Sequence, residues 1–224
     1  MLIPSIDLMG GKIVQLVQGK RKALEFDDFE EWTQRFSKYP LVQLIDLDAA
    51  MGQGSNRERI MEISRRLPCQ VGGGIRSVEA ALSVLDAGAQ RVIVGSSLFA
   101  DGKMNCTFAE QLAGAVGVSR LVFALDTIGG RVTTHGWRRI SDVRPLEMIE
   151  SLERWCTAFL YTHVDTEGLL QGFPQEAIVP LRAATKRQLI AAGGIRSQAE
   201  VDALDAIGVD AVVGMAIYRG LISA

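Results

Sequence analysis

Two aspartates with similar surroundings are the side chains of this chain best suited to chemistry. Asp7 and Asp126 each end an apolar run and stand just before a Gly-Gly pair. Two carboxyl groups that face each other can serve as general base and general acid, if their environments separate their pKa values. One such aspartate alone could equally cap the loop that follows it. The matched pair therefore favours acid–base catalysis over a capping role.

Glycine-rich turns follow apolar runs at four places. Gly72–Arg76 and Ala192–Arg196 each stand between an apolar run and a helix-like stretch. Val94–Ser97 and Val213–Ala216 do the same one unit later. A single glycine pair could serve only a tight turn, but glycine also lets backbone amides approach an anion at a helix N-terminus. Four such turns predict two phosphate sites, which a substrate with a phosphate at each end would span. The residues assigned to these sites are Gly73, Gly74, Arg76, Gly95, Ser96, Gly193, Gly194, Gly214 and Met215.

The chain carries an internal repeat, and its period places the two aspartates at equivalent positions. Four or more matches in the same order at nearly one offset are hard to obtain by chance, so the chain is a tandem duplication. The matched segments, 119 or 120 residues apart, are Ile6–Val14 with Leu125–Thr133, Gln43–Asp46 with Thr162–Asp165, Gly73–Ser77 with Gly193–Ser197, and Val92–Gly95 with Ala211–Gly214.

Eight short apolar runs alternate with longer amphipathic stretches, which predicts parallel strands buried on both faces. Eight βα units in two sets of four indicate one α/β domain over residues 1–224, a (β/α)8 TIM barrel of two half-barrels, about 1–119 and 120–224. An open flavodoxin-like or Rossmann sheet would not explain two equivalent halves. Ser77 and Ser197 are predicted helix N-caps, and the last helix should be short or missing. The predicted strands are Leu2–Asp7, Leu41–Asp48, Pro68–Gly72, Arg91–Val94, Leu121–Asp126, Ala158–Thr162, Gln188–Ala192 and Ala211–Val213.

Composition narrows the class of protein further. The 224 residues carry a formal net charge of −2, with scattered Lys and Arg, so no nucleic-acid partner is expected. No apolar run approaches the roughly 20 residues that span a bilayer, so no membrane partner is expected either. Three cysteines without CxxC spacing indicate a reducing compartment, and we expect a cytoplasmic monomer. His135 and His163 lack a pattern of partner carboxylates, so we expect neither a metal nor a cofactor.

The chain resembles the histidine-biosynthesis ribotide isomerase family over nearly its whole length. The resemblance is carried by the motifs Ile3–Leu8, Val71–Arg76, Gly136-Trp137 and Gly193–Ile195 in combination. It implies an aldose–ketose isomerase that performs an Amadori rearrangement. The substrate would be phosphoribosylformimino-5-aminoimidazole carboxamide ribotide, converted from aminoaldose to aminoketose.

The resemblance also implies roles for individual residues. Asp7 would be the general base, Asp126 the general acid, and Trp137 a ligand-binding residue. The family pattern Thr-Asp-Ile-x-Arg-Asp-Gly-Thr reads here Thr162–Leu169, so Thr162, Glu167 and Gly168 are assigned to substrate binding. Glu167 keeps the carboxylate of that pattern with one more methylene.

Several departures leave alternatives open. Many family members have arginine where this chain has Gln15, and Lys20-Arg21 replaces an acidic-aromatic pair. The Gln18–Lys20 segment is similar to that of relatives that also act on phosphoribosylanthranilate. A dual-substrate isomerase, the related imidazole glycerol phosphate synthase cyclase subunit and a non-catalytic phosphate-binding paralogue are therefore the alternatives.

Overall fold

A computed structural model describes residues 1–223, and in that part of the chain eight parallel strands close into a barrel. Each strand pairs with the next one along the chain, and β8 pairs with β1 to complete the circle. The predicted (β/α)8 barrel is therefore confirmed. The barrel strands are β1 Leu2–Met9, β2 Val42–Asp46, β3 Cys69–Gly72, β4 Arg91–Val94, β5 Leu121–Ile128, β6 Ala158–His163, β7 Gln188–Ala192 and β8 Asp210–Val213.

Helices surround the barrel, and their first residues follow the expected capping rules. The hydroxyls of Ser77 and Ser197 accept hydrogen bonds from the amides of Ala80 and Glu200, which confirms both predicted N-caps. The last helix has four residues and is as short as predicted. The outer helices are α1 Phe29–Phe36, α2 Arg57–Arg66, α3 Val78–Asp86, α4 Cys106–Val116, α5 Pro145–Leu152, α6 Gln175–Ala184, α7 Gln198–Ala206 and α8 Met215–Tyr218.

Shorter elements decorate the loops between strands and helices. None of the helices in residues 1–223 is long and apolar enough to cross a membrane. The accessory strands are Lys12–Val17, Arg21–Phe26, Phe99–Ala100, Lys103–Met104, Arg131–Thr134 and Arg139–Ile140, and the accessory helices are Leu47–Met51, Ser96–Leu98, Val118–Arg120, Glu153–Trp155 and Val164–Thr166.

Two hydrophobic layers hold the strands in place. Alternate residues of the strands fill the barrel interior, among them Ile3, Val122 and Leu160. The remaining strand residues pack outward against the helices, where Phe123 and Phe159 are fully buried with ring centroids 6.5 Å apart. Truncation of either phenylalanine to alanine is expected to cost about 3–5 kcal/mol. The strand ends that carry the polar residues are therefore rigidly positioned.

Strands β1 and β5 continue two residues beyond the ends predicted for them. Each becomes the first arm of a hairpin, in which Asp7 lies opposite Val14 and Ile128 lies opposite Arg131. The prediction of an end at the aspartate was wrong because the antiparallel partner keeps the strand extended through its Gly-Gly turn. Asp48 accepts a hydrogen bond from the first glycine amide of one turn, and Asp165 does so in the other half.

The same contacts correct the alignment of β2 with β6. Asp48 and Asp165 hold equivalent turns, and they are 117 residues apart rather than 119. Strand β2 also ends at Asp46, not at Asp48, because Asp46 caps the short helix Leu47–Met51 by accepting from the amide of Ala49. The two halves therefore differ by two residues in length at this point.

Candidate active site

A cavity of about 930 Å³ opens at the carboxyl ends of the barrel strands, and every residue that the sequence assigned to the site lines it. Both half-barrels contribute to this one cavity, as the repeat predicts. The assigned residues are Asp7, Gly73, Gly74, Arg76, Gly95, Ser96, Asp126, Trp137, Thr162, Glu167, Gly168, Gly193, Gly194, Gly214 and Met215.

Asp7 is a half-buried carboxyl group on the cavity side of β1. Burial raises the pKa of Asp7 to about 6, and a hydrogen bond of 2.9 Å from the hydroxyl of Ser5 opposes that rise. A carboxyl group with this pKa is mostly ionised at neutral pH and still holds a proton better than a free aspartate. This is the condition that a general base requires.

Asp126 takes the equivalent place on β5 with different partners. The indole Nε1 of Trp137 donates to its Oδ2 at 3.0 Å. Burial raises the pKa of Asp126, whereas hydrogen bonds from Thr162 and Trp137 lower it. The two aspartates thus lie in matched positions with unequal surroundings.

Glu167 adds a third carboxyl group, on the loop after β6. Burial raises the pKa of Glu167 to about 8, and the negative charges of Asp7 and Asp126 add to the rise. Glu167 therefore carries a proton at neutral pH, beside two groups that repel its charged form. In the corrected alignment its equivalent in the first half is Ala50, so this carboxyl group breaks the symmetry of the site.

The glycine edges serve the fold as well as the cavity. A Cβ on Gly73 would stand 2.1 Å from the carbonyl oxygen of Asp46, and one on Gly193 would stand 2.4 Å from that of His163. Both glycines also have φ above +100°, which disfavours any side chain. Packing against the neighbouring strand is thus sufficient to explain these two glycines. Both edges also line the cavity, where an anion would meet the start of a helix.

The two edges differ in their positive charge. Arg76 donates to the carbonyl oxygens of Ala49 and Ala50, so its charge has no carboxylate partner there. Its equivalent, Arg196, is paired with Glu200 at 3.0 Å. The edge of the first half therefore carries the stronger attraction for an anion.

Loops from three strands meet over the cavity. The amide of Gln18 donates to the carbonyl of Glu167 at 3.0 Å. This bond joins the loop after β6 to the antiparallel segment of residues 12–26, which we call the first hairpin. A Cβ on Gly19 would lie 2.7 Å from the indole of Trp137, so the ring rests directly on this glycine. A Cβ on Gly168 would likewise lie 2.3 Å from the carbonyl oxygen of Leu16. These close approaches require glycine at both positions.

Ser5, Gln15 and Gln43 are among the cavity residues that were not assigned to the site from the sequence. Ser5 donates to Asp7, and Gln43 lines the cavity from β2. Gln15 reaches the residue that follows β8, and its Oε1 stands 2.5 Å from the position of a Cβ on Gly214. Ser5 could have been found from the sequence, because it precedes Asp7 by two residues and must share its face of the strand. The contact of Gln15 with Gly214 joins distant segments and gives no local signal.

Fold and site together define the class: a duplicated (β/α)8 barrel whose mouth combines paired carboxyl groups with glycine edges suited to anions. The chain belongs to the histidine biosynthesis protein family, whose sequence profile matches residues 1–223. This confirms the family resemblance that the motifs indicated.

Several relatives are similar to the chain along nearly its full length. A protein of Methanocaldococcus jannaschii is 36% identical over 99% of this chain and 94% of its own length. One from Thermus thermophilus is 38% identical over 99% and 95%, and one from Methanothermobacter thermautotrophicus is 37% identical over 99% and 95%. All three are named 1-(5-phosphoribosyl)-5-((5-phosphoribosylamino)methylideneamino)imidazole-4-carboxamide isomerase.

Proposed function

We propose that this chain is the aldose–ketose isomerase of histidine biosynthesis after which these relatives are named. It converts the aminoaldose phosphoribosylformimino-5-aminoimidazole carboxamide ribotide to its aminoketose by an Amadori rearrangement. The observation that carries the proposal is the pair of half-buried carboxyl groups, Asp7 and Asp126, at equivalent positions on β1 and β5 of a family member.

The two ends of the substrate would bind the two glycine edges. Each edge offers backbone amides and a helix start, and Ser96 adds a hydroxyl in the first half. Two anchored phosphates place the ribose between them, over the carboxyl groups. Binding energy from these remote groups then orients the reacting carbon. Trp137 lines the same cavity and offers a flat surface for the imidazole or the ribose.

The reaction needs one proton donor and one proton acceptor in sequence. The donor protonates the ribose ring oxygen, and the C1–O bond breaks to give an open-chain imine. The acceptor then removes the proton on C2, and the electron pair forms the C1–C2 double bond of an enolamine. C1 gains a proton and the C2 hydroxyl loses one, which yields the ketone. Asp7 is the acceptor, because its carboxylate is available above about pH 6.

Two groups are candidates for the donor. Asp126 is the donor predicted from the family resemblance, and its raised pKa helps it to hold a proton. Glu167 is a second candidate, because its pKa of about 8 keeps it protonated at neutral pH without any change in the site. A pair of groups with pKa values moved apart in this way is typical of acid–base sites. The two assignments differ in the pH dependence that they predict.

The alternatives receive no support from the relatives. Those named above are all isomerases, and none carries the name of the cyclase. Retention of Asp7, Asp126 and a carboxyl group at position 167 opposes a silent paralogue. A second activity on phosphoribosylanthranilate would be detected in the same assay as turnover of the aminoaldose.

The test is turnover of the purified protein with the aminoaldose, run beside phosphoribosylanthranilate. Asp7→Asn is expected to lower kcat at least about a hundredfold while diphosphate binding persists, because it removes the proton acceptor and not the glycine edges. Asp126→Asn should have the same effect if Asp126 is the proton donor. Asp86→Asn, an exposed change on α3, is the matched control and should turn over normally. Absence of turnover in the unmodified protein, or near-normal turnover in Asp7→Asn, would reject the proposal.

A further inference from the structure

The barrel interior just below the two aspartates is polar in the first half and apolar in the second. Strand registers define the equivalent positions without reference to the sequence repeat. Ser5 lies beside Gln43, which lies beside Gln70. In the second half the same register places side chains without any hydrogen-bonding atom. Those residues are Ala124, Leu160 and Ile190.

The polar residues of the first half form an ordered set beneath Asp7. The Oγ of Ser5 donates to Oδ1 of Asp7 at 2.9 Å. The Nε2 of Gln70 donates to Oε1 of Gln43 at 3.0 Å, so the amide NH2 of Gln43 remains free to face the cavity that this residue lines. Gln70 is fully buried, and its own Oε1 has no partner in residues 1–223. The buried, unpaired Oε1 of Gln70 lowers the stability of the folded barrel, and apolar side chains at these positions would avoid that loss.

We propose that this floor, made of Ser5, Gln43 and Gln70, orients Asp7 and holds it ionised as the proton acceptor of the reaction. Ser5 holds the carboxylate in one orientation and favours its ionised form, and the Gln43 amide adds the positive end of a dipole beneath it. The three are positioning residues that act through Asp7. The inference rests on the proposed function and extends it to the residues that position its base.

Other ionisable groups lie around Asp7, and in residues 1–223 none of them donates a hydrogen bond to its carboxyl group. Glu167 faces it from the loop after β6, and Asp126 faces it across the mouth. The hydroxyl of Tyr218, on α8, donates to the carbonyl of Ser5 at 3.1 Å and is not a partner of the carboxylate. Lys20 of the first hairpin lines the cavity as well. Within residues 1–223 the one hydrogen bond to the Asp7 side chain comes from Ser5.

The first test compares Ser5→Ala with Ser5→Thr and Ala124→Ser by measuring kcat/KM against pH. Ser5→Ala introduces the residue that the second half has at the equivalent position, Ala124. The acid limb of its kcat/KM profile should move up by about one pH unit, because the ionised carboxylate of Asp7 loses its hydrogen-bond donor. Ser5→Thr keeps a hydroxyl and should restore the midpoint. Ala124→Ser puts a hydroxyl below Asp126 and should leave the acid limb in place. An acid limb that stays fixed in Ser5→Ala, or an equal loss at every pH, would overturn the inference.

A second test does not depend on turnover or on Ser5→Ala folding. The double variant Gln43→Leu with Gln70→Ile copies the second half and removes the unpaired oxygen, so the barrel should remain stable. Carbon-13 NMR titration of aspartate carboxyl groups, with Asp7 assigned from Asp7→Asn, should show its midpoint raised in this variant. An unchanged midpoint would reject the role of the glutamines. If the unmodified protein does not turn over the aminoaldose, the proposed function fails, and this titration still decides whether the floor favours ionised Asp7.

Discussion

The indole of Trp137 donates to the carboxyl group of Asp126 at 3.0 Å, and its ring rests on Gly19 of the first hairpin. One side chain thus connects the second aspartate to a loop of the opposite half-barrel. Trp137 itself has φ of 66°, a left-handed conformation that disfavours a bulky residue. A strained backbone conformation persists where contacts with the surrounding residues stabilise it. Here those contacts are the hydrogen bond to Asp126 and the packing on Gly19.

Trp137→Phe is expected to lower kcat/KM by about tenfold, since a hydrogen bond to a charged group contributes about 1.5–3 kcal/mol and some of it is replaced by water. The ring is kept, so its packing on Gly19 persists while its donor to Asp126 is lost. Steady-state kinetics with the aminoaldose would measure the change. Trp155→Phe, in the short helix that follows α5 and outside the residues that line the cavity, is the control. Equal kinetics for Trp137→Phe and the unmodified protein would show that the hydrogen bond has no part in turnover.

Glu167→Gln separates the two candidate donors. If Glu167 gives its proton to the substrate, activity falls as the pH rises through about 8, and the variant loses turnover by about a hundredfold or more. If Asp126 is the donor, the variant keeps most of its kcat because glutamine preserves the shape of the loop. If Glu167 is the donor, Glu167→Asp, which restores the residue of the family pattern, should still show an alkaline limb in its profile of kcat/KM against pH. The pH profile of kcat/KM for the three proteins distinguishes these outcomes.

Most of the barrel and its two glycine edges could be predicted from the sequence, because strands and βα turns leave local, repeated signals. The matched positions of Asp7 and Asp126 in the sequence repeat predicted where the mouth of the barrel lies. The extent of β1 could not be predicted, since its last residues are held by a hairpin partner that only the tertiary structure reveals. The offset between β2 and β6 was also misplaced by two residues, because hydrophobic strands of similar composition align in more than one register.

The electrostatics of the site could not be predicted from the sequence. The raised pKa of Glu167 depends on burial and on the charges of Asp7 and Asp126, which come from three separate loops or strands. The contact between Gln15 and Gly214 depends in the same way on barrel closure. Such effects depend on distances across the mouth, and no spacing in the sequence encodes them.

Arg76→Met should raise the KM for the aminoaldose by about tenfold, while Arg196→Met should change it far less. Arg76 points a charge without a carboxylate partner at the first edge, whereas the charge of Arg196 is compensated by Glu200. The loss should diminish at high salt, because part of the attraction is screened. Binding of inorganic phosphate to both variants, measured by calorimetry, provides the comparison without turnover. Equal losses of phosphate affinity in the two variants would show that both glycine edges bind phosphate equally well.

Protein stability should fall as the pH rises toward 8, and Glu167 should be the main cause. The folded protein keeps the Glu167 proton up to about pH 8, whereas the unfolded chain releases it near the ordinary value of 4.5. Between these values the folded state binds more protons, so the free energy of unfolding decreases with rising pH. Asp7 acts in the same direction, but its effect ends near pH 6.

Glu167→Gln removes the ionising group and should flatten the fall in Tm between about pH 6 and 8 by a few degrees. Glu110→Gln, an exposed change on α4, should leave the slope as it is. A slope that is the same in Glu167→Gln and the unmodified protein would mean that Glu167 is already ionised in the folded state, and would also remove it as a donor.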